Sequence, residues 1–420
     1  VRKHPNADRL NLATVHGHQV VVGLEAKEGD RGVFFPCDGQ LSEAMAEAND
    51  LVGYTDPATG EKKGGFFAKN RRVRAQKFRG EKSDGFFIEL DKLAFTGYDL
   101  STLEDGFAFT ELGGVQVCQK YYTPATRAKM SRPGQARKQR NLIFPEHIDT
   151  AQFRYNSHRI PVGAVVYITE KAHGTSGRYG NVAETTPMSG WQKFWAKLAG
   201  FIGRFDPATE FFGYQHLSGS RRVVLDKQPE AASYYGTNSF REDVVAGIEL
   251  HKGEVLYFEI VGDVAEGQPI MPVHTVKDEL KDIQKQYGKK MDYRYGTLSG
   301  EHKMLVYRVT RLNEDGVETD LSWQQVKQRC KELGLQTVPE LDMMFTTDDS
   351  DISRQMLTDT VEALTDGPST LDSSHIREGV VVRVESDQGT WFFKNKSWAF
   401  GVLEGYIKDS DTYVDTEEAA

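Results

Sequence analysis

Residues 165–176 read V-V-Y-I-T-E-K-A-H-G-T-S, and what this stretch becomes decides the fold. Val165, Val166, Ile168 and Thr169 make a β-branched run that predicts a buried strand, and His173-Gly174-Thr175-Ser176 is the turn that stops it. Glu170 closes the run and delivers Lys171 into the turn. A lysine at the end of a buried strand is a poor solvated charge and a candidate nucleophile. Its free pKa is about 10.4, so attack near neutral pH needs desolvation or neighbouring cations to lower it. From this stretch alone, a structural lysine capping the strand end is the alternative.

Working outward, further stretches follow in order. Arg221 lies in G-S-R-R-V-V-L, Glu259 in Y-F-E-I-V-G, Tyr307 in V-Y-R-V, Glu378 in R-E-G-V-V-V-R, and Lys394 and Lys396 in W-F-F-K-N-K. Glu259 interrupts a strand whose faces carry Val255, Tyr257 and Val261, and Leu256, Phe258 and Ile260. A carboxylate in so apolar a strand is costly unless it is paired or hydrogen-bonded. Lys394 and Lys396 are two apart on a predicted strand and share a face, where two converging ammonium groups suit a phosphate. An exposed lysine face is the alternative, although Trp391 and Phe393 opposite argue for a packed strand. Glu378 stands before Val380–Val382 and Arg383, where capping the strand entrance is the plain structural role.

Taken together and in this order, the stretches resemble the signatures of the covalent nucleotidyltransferases, the superfamily of ATP-dependent RNA and DNA ligases and mRNA capping enzymes. The resemblance implies that Lys171 is the nucleophile that takes AMP from ATP. It implies that Glu170, His173, Gly174, Arg221, Glu259, Tyr307, Glu378, Lys394 and Lys396 surround the nucleotide. Glu378, with Glu259 through water, would hold Mg²⁺ or Mn²⁺, consistent with the oxygen ligands Mg²⁺ prefers. Tyr307 has the position of the aromatic that stacks on the purine, with core packing as the alternative because Leu305 and Val309 share its face. Arg222 beside Arg221 leaves that assignment open by one residue. Glu170 resembles residues that read the adenine amino edge. His173, where DNA ligases and capping enzymes often have Asp, looks more like RNA ligases.

The amino-terminal part points to a separate β unit. Apolar runs at Leu12–Val15, Val20–Leu24, Gly32–Phe35 and Phe86–Leu90 alternate with Gly, Asp and Asn turns, a pattern that suits a small barrel. H-P-N-A-D-R-L near the start resembles the first turn of oligonucleotide-binding (OB) domains, and R-G-E-K-S-D-G-F-F at 79–87 resembles a later turn and strand. The expected fold class is therefore α+β: an amino-terminal OB-like β-barrel followed by an α+β nucleotidyltransferase (ATP-grasp-like ligase) domain with antiparallel sheets and flanking helices. The boundaries are an OB-like domain at 1–118, a basic linker at 119–145, a catalytic domain at 146–408 and an acidic tail at 409–420. Helices are predicted over 190–203, 322–333 and 352–365, the second with Cys330 as a buried thiol.

Charge locates candidate polyanion contacts. The net charge of −9 excludes a generally basic nucleic-acid binder, so such a site must be local. Arg72, Arg74, Lys77 and Arg79 form one cluster, and Arg137 and Lys138 belong to a linker that carries no acid between 119 and 141. Such clusters bind phosphates through counterion release; a solvated loop is the alternative. Three cysteines are too few for a disulfide framework or zinc cluster and fit a cytoplasmic or other reducing compartment. No apolar run is long enough to span a membrane. The chain opens on Val-Arg-Lys rather than Met, so its natural start is expected upstream.

Only 24 residues follow Lys396, too few for a trailing OB domain of the kind DNA ligases and capping enzymes carry. This order, with K-A-H-G-T-S, resembles the Deinococcus-type ATP-dependent RNA ligases. The implied reaction seals a 3′-OH to a 5′-phosphate in nicked duplex RNA or RNA/DNA hybrid, with no membrane and no obligate protein partner. The alternatives are a DNA ligase, a capping-type guanylyltransferase, or a non-catalytic OB-fold RNA- or tRNA-binding protein.

Overall fold

The computed structural model describes residues 1–15, 18–37, 39–55, 59–122, 144–187, 210–225, 235–276, 280–348 and 350–404. The predicted helix at 190–203, most of the basic linker with Arg137 and Lys138, and the acidic tail lie outside the described residues, as does the side chain of Lys77. The chain divides into two compact units, one drawn from 1–130, 152–159 and 398–415, the other from 131–151, 160–397 and 416–420.

The first unit carries the four expected strands, β1 (Leu10–Val15), β2 (His18–Gly23), β3 (Gly32–Pro36) and β5 (Gly85–Glu89), and two that the sequence pattern did not mark, β4 (Gly39–Leu41) and β6 (Cys118–Lys120). They do not close into the expected barrel. β1 pairs with β2 and with Arg2–Lys3, β3 pairs with β5, and β4 pairs with β6 and meets Arg72 in a single bridge; among the described residues no sheet closes on itself, so the OB-like assignment is overturned. Alternating apolar residues fix which segments are strands, whereas closure needs an unbroken hydrogen-bonded circuit with matched stagger. Here the chain between strands is spent on a helix at Glu43–Ala48, a 3₁₀ run at Leu90–Thr96 and two-residue pairings. Phe35, Leu41, Met45, Phe67, Val73, Ile88, Leu93 and Val117 join the β3–β5 and β4–β6 pairs through a shared core, while Ala13, Val20 and Val22 of β1 and β2 belong to a second one. The opening turn is pinned by His4, whose Nδ1 accepts from the Asn6 N–H at 3.0 Å while Nε2 donates to the Phe78 carbonyl at 2.9 Å.

The second unit is built on two antiparallel sheets. The first has the order β13-β12-β7-β11, where β7 is Val165–Glu170, β11 Glu340–Phe345, β12 Gly379–Ser386 and β13 Gly389–Lys396. The second runs from the strand Glu210–Gly219 through β8, β9 and β10, where β8 is Thr175–Pro187, β9 Glu254–Ala265 and β10 His302–Leu312. Val166 and Ile168 in β7 are fully buried, worth about 1.5–3 kcal/mol each. Two predicted helices are present, α1 (Trp323–Leu333) with a Ser322/Gln325 capping box and α2 (Asp351–Thr365). Cys330 is buried as predicted, and burial pushes its thiol up to about 12. Strands in antiparallel sheets with helices alongside bear out the α+β class for this unit. Among the described residues no helix is long and apolar enough to cross a membrane.

Candidate active site

The end of β7 is held from both sides. Lys171 continues the strand by donating its N–H to the Gly379 carbonyl at 3.0 Å. Across β12, Gly379 is paired with Lys396. Gly379 has φ +152°, and a Cβ there would meet the Asn395 carbonyl oxygen at 2.2 Å, so the approach of β12 to β13 requires glycine. Gly174 meets the same demand in the turn after Lys171, where a Cβ would lie 2.3 Å from the Ile260 carbonyl oxygen.

These two close approaches gather four charged or ionisable groups. Glu378 Oε1 lies 2.8 Å from Lys171 Nζ and 3.1 Å from Lys396 Nζ, and Oε2 lies 3.6 Å from His173 Nδ1. The Glu378 side chain is 2% exposed and that of Lys171 17%. Burial pushes the Glu378 carboxyl up, but Lys171, Lys396 and His173 outweigh it and hold it down at about 2. His173 is fixed through its N–H, which donates to Tyr295 Oη at 2.6 Å.

Lys171 also borders a cavity lined by Glu170, Ser176, Arg221, Glu259 and Tyr307 among others. The two sheets face each other across it. On the first, Thr169 pairs with Val381 and Val381 with Lys394, and directly paired residues share a face. On the second, Ser176 pairs with Glu259, and Ser176 Oγ donates to Glu259 Oε2 at 3.1 Å. The register between β9 and β10 slips by one residue: Tyr257 pairs with Arg308 and Phe258 with Val306. Tyr307 is the extra residue of a β-bulge, which re-aims it into the cavity wall. Simple alternation would group it with Leu305 and Val309, both of which are fully buried.

Tyr307 is fixed by His147. Its hydroxyl donates to His147 Nδ1 at 2.7 Å. Burial, then Arg178, Arg221 and Arg308, hold the histidine well below its ordinary pKa, so it is neutral and free to accept. Burial, then Glu259, raises the Tyr307 hydroxyl and keeps it protonated.

The inner wall contains residues that the sequence did not single out for the site. Arg308 makes two hydrogen bonds to Asp320, at 2.6 and 3.1 Å, and lies over the Tyr257 ring. Arg383 pairs with Glu385 at 2.6 Å and lies over the Phe392 ring. The same bulge that displaces Tyr307 turns Arg308 toward the cavity, so only three-dimensional register could reveal it.

Other expected residues have more specific placements. Glu170 lines the cavity but is buried, its Oε1 accepting from Ser369 Oγ at 2.5 Å and Oε2 from Thr370 N and Oγ1 at 2.8 and 2.7 Å. Arg221, not the exposed Arg222, lines the cavity, and it pairs with Asp149 at 2.6 Å. Lys394 is a cation close enough to act on Asp149, whereas Lys396 belongs to the Glu378 cluster. In the first unit, Arg72 is buried against the Tyr121 ring, Arg74 is half-buried and Arg79 is exposed.

The site offers the Lys171 amine, an ionised carboxylate, a second ammonium and an adjoining cavity. Glu378 Oε2 is a buried carboxylate oxygen with no hydrogen-bond partner among the described residues, which fits a hard divalent cation. Glu259 supplies a second carboxylate on the cavity wall.

A model of the RNA ligase family matches residues 164–399, more than half of the chain. No curated protein sequence matches. Among solved structures the chain is similar to a lysine-to-alanine mutant of Naegleria gruberi RNA ligase with ATP and Mn. The identity is 17% and the TM-score 0.57, covering 98% of this chain and 96% of that one. The same ligase with PPi is 16% identical with a TM-score of 0.57, covering 96% and 95%. A glutamate-to-alanine mutant with AMP and Mn is 16% identical with a TM-score of 0.56, covering 98% and 96%. At these identities the likeness is one of fold.

Proposed function

Because this chain belongs to the RNA ligase family, we propose that it is an ATP-dependent RNA ligase that joins 3′-OH and 5′-phosphate ends through a lysyl-AMP on Lys171. The observation that carries the reading is Lys171 itself, bordering the cavity while its amine is paired with Glu378 beside Lys396. The Naegleria ligase structures with ATP, AMP or PPi and Mn support the same chemistry.

In the first step Lys171 gives up its ammonium proton to solvent and its Nζ lone pair attacks the α-phosphorus. A P–N bond forms and the P–O bond to pyrophosphate breaks. AMP then passes to the 5′-phosphate of the RNA, freeing Lys171. Attack by the 3′-OH forms the phosphodiester and releases AMP. Negative charge builds on the α-phosphate each time, so the Lys396 ammonium can serve all three steps. Arg221, Glu259 and Tyr307 position the nucleotide, Tyr307 as a ring wall and Glu259 toward the ribose or a metal-bound water. Glu378 and Glu259 would hold Mg²⁺ or Mn²⁺, which supplies charge neutralisation at the α-phosphate. Glu170 anchors the strand end to Ser369 and Thr370, and we assign any contact with the adenine amino group to the same carboxylate.

The finer reading is a Deinococcus-type ligase that seals nicks in duplexes whose 3′-OH strand is RNA. It rests on K-A-H-G-T-S and on the β-rich unit preceding the catalytic one. Arg74 and Arg79 are the candidate RNA contacts in that unit. Sealing assays on nicked duplexes that differ only in the sugar of the 3′-OH strand test it. Sealing with an RNA 3′-OH strand and little with DNA is expected, since the 2′-OH and A-form shape distinguish them. Equal sealing of all-DNA nicks would favour a DNA ligase.

A further inference from the structure

Tyr295 is held in a way that packing alone does not explain. It is buried, and its backbone is left-handed with φ +56°, a conformation that glycine takes freely and a bulky residue rarely adopts. Such an outlier persists only where its surroundings fix it, and here the second sheet supplies the footing. Lys303 on β10 donates from Nζ to the Tyr295 carbonyl at 2.8 Å. The adjacent Arg294 is ion-paired at 2.8 Å with Asp263, which is fully buried on β9.

From that footing the side chain reaches two segments that are far apart in sequence. Its hydroxyl accepts the His173 N–H at 2.6 Å, inside the turn that follows Lys171. Its ring stands edge-on to the His375 ring, with centroids 4.6 Å apart, and His375 is buried three residues before Glu378. The Tyr293 ring spans the same two segments, 4.6 Å from the His375 ring and 5.0 Å from the His173 ring. One loop therefore touches both the turn beyond the nucleophile and the approach to the carboxylate that pairs with it at 2.8 Å.

The ring and the hydroxyl of Tyr295 do different things. A phenylalanine ring would pack on His375 in the same way, so the ring accounts for the approach to Glu378. Only the hydroxyl accepts the His173 N–H, and a buried donor left without a partner is costly. Without that acceptor the turn shifts to find another, and Lys171, two residues earlier, shifts with it.

We propose that Tyr295 is a positioning residue for lysyl-AMP formation: its hydroxyl fixes the turn that aims Lys171, and its ring ties that turn to the approach to Glu378. The role rests on the ligase reading, and it is selective by step. Lys171 is the nucleophile in the first step and the leaving group in the second. It takes no covalent part in the third, where a 3′-OH attacks an RNA 5′-end that already carries AMP. A misplacement of about 1 Å in a reacting group can cost about 100-fold in rate.

The test uses the full chain and Tyr295→Phe, which removes the acceptor and keeps the ring. Single-turnover formation of lysyl-AMP is expected to slow by about 10- to 100-fold at saturating ATP, with half-saturating ATP moved by less than about twofold. Sealing of a nick whose 5′-end is already adenylylated should stay within about threefold of the parent, whereas loss of general stability would lower both steps together. Lys303→Met, which releases the Tyr295 carbonyl and leaves its side chain in place, is the second variant should Tyr295→Phe fail to fold. The same selectivity with a smaller factor is expected there. Lysyl-AMP formation within about twofold of the parent in a folded variant, or equal losses in adenylylation and in sealing of the adenylylated nick, overturns the proposal. A parent that forms no lysyl-AMP removes the ligase reading and this proposal with it; an active parent beside an unimpaired Tyr295→Phe removes this proposal alone.

Discussion

Replacing Glu378 with Gln removes the buried negative charge that pairs with both Lys171 and Lys396, and its cost can be worked out. Glu378 is held at about 2 against an ordinary value of 4.5. Each unit is worth about 1.4 kcal/mol, so ionised Glu378 contributes about 3 kcal/mol to the folded state near neutral pH. The sign follows from the depressed value. The contribution is complete above about pH 5, has fallen to about 1 kcal/mol at pH 3, and is lost as pH drops through about 2. Loss of one partner from a buried ion pair independently suggests about 3–5 kcal/mol. Urea unfolding of parent and Glu378→Gln at pH 7, 5, 4 and 3, followed by the fluorescence of buried Trp323 in the same unit, measures the difference. The gap between the two proteins is expected to shrink steadily below pH 5. A gap that stays constant from pH 7 to pH 3, or one near zero at pH 7, would refute the electrostatic account of this cluster.

Three further outcomes are expected. Gly379→Ala places a methyl 2.2 Å from the Asn395 carbonyl oxygen; it should destabilise by about 2–4 kcal/mol and abolish adenylylation, as a urea series and an AMP-transfer assay would show. Cys330, with its thiol pushed up to about 12 by burial, should resist a thiol reagent at pH 8 until urea unfolds the chain, while the half-buried Cys37 and Cys118 react first. Chelation of divalent metal should stop adenylylation, and Mg²⁺ or Mn²⁺ should restore it; adenylylation that persists in excess chelator would contradict the role assigned to Glu378.

The sequence was most informative where chemistry and local geometry coincide. Lys171 ends a strand of β-branched residues, and Gly379 and Gly174 stand where no side chain fits, so the order of short signatures located the lysine, the carboxylate and Lys396 together. Tyr307 was legible as a residue but not as a geometry, because the bulge that frees it from the Leu305 and Val309 face depends on pairing with β9. Arg308 was hidden for the same reason, whereas Arg383 sits in an unbroken register opposite Phe392; the carboxylate partners of both look like ordinary surface acids in one dimension. Glu170 is tied to Ser369 and Thr370, some 200 residues away, which no local pattern encodes. The amino-terminal alternation correctly marked β1, β2, β3 and β5, but alternation does not say whether edges meet, and there the barrel expectation failed.

The measurement that bears most directly on the central claim is the intact mass of the protein after incubation with ATP and Mg²⁺, beside GTP and a Lys171→Ala variant. A gain of one AMP with ATP, absent with GTP and absent in the variant, is the result this account predicts. Folded protein free of pre-bound AMP that gains no adduct, or a Lys171→Ala variant that still does, would contradict it.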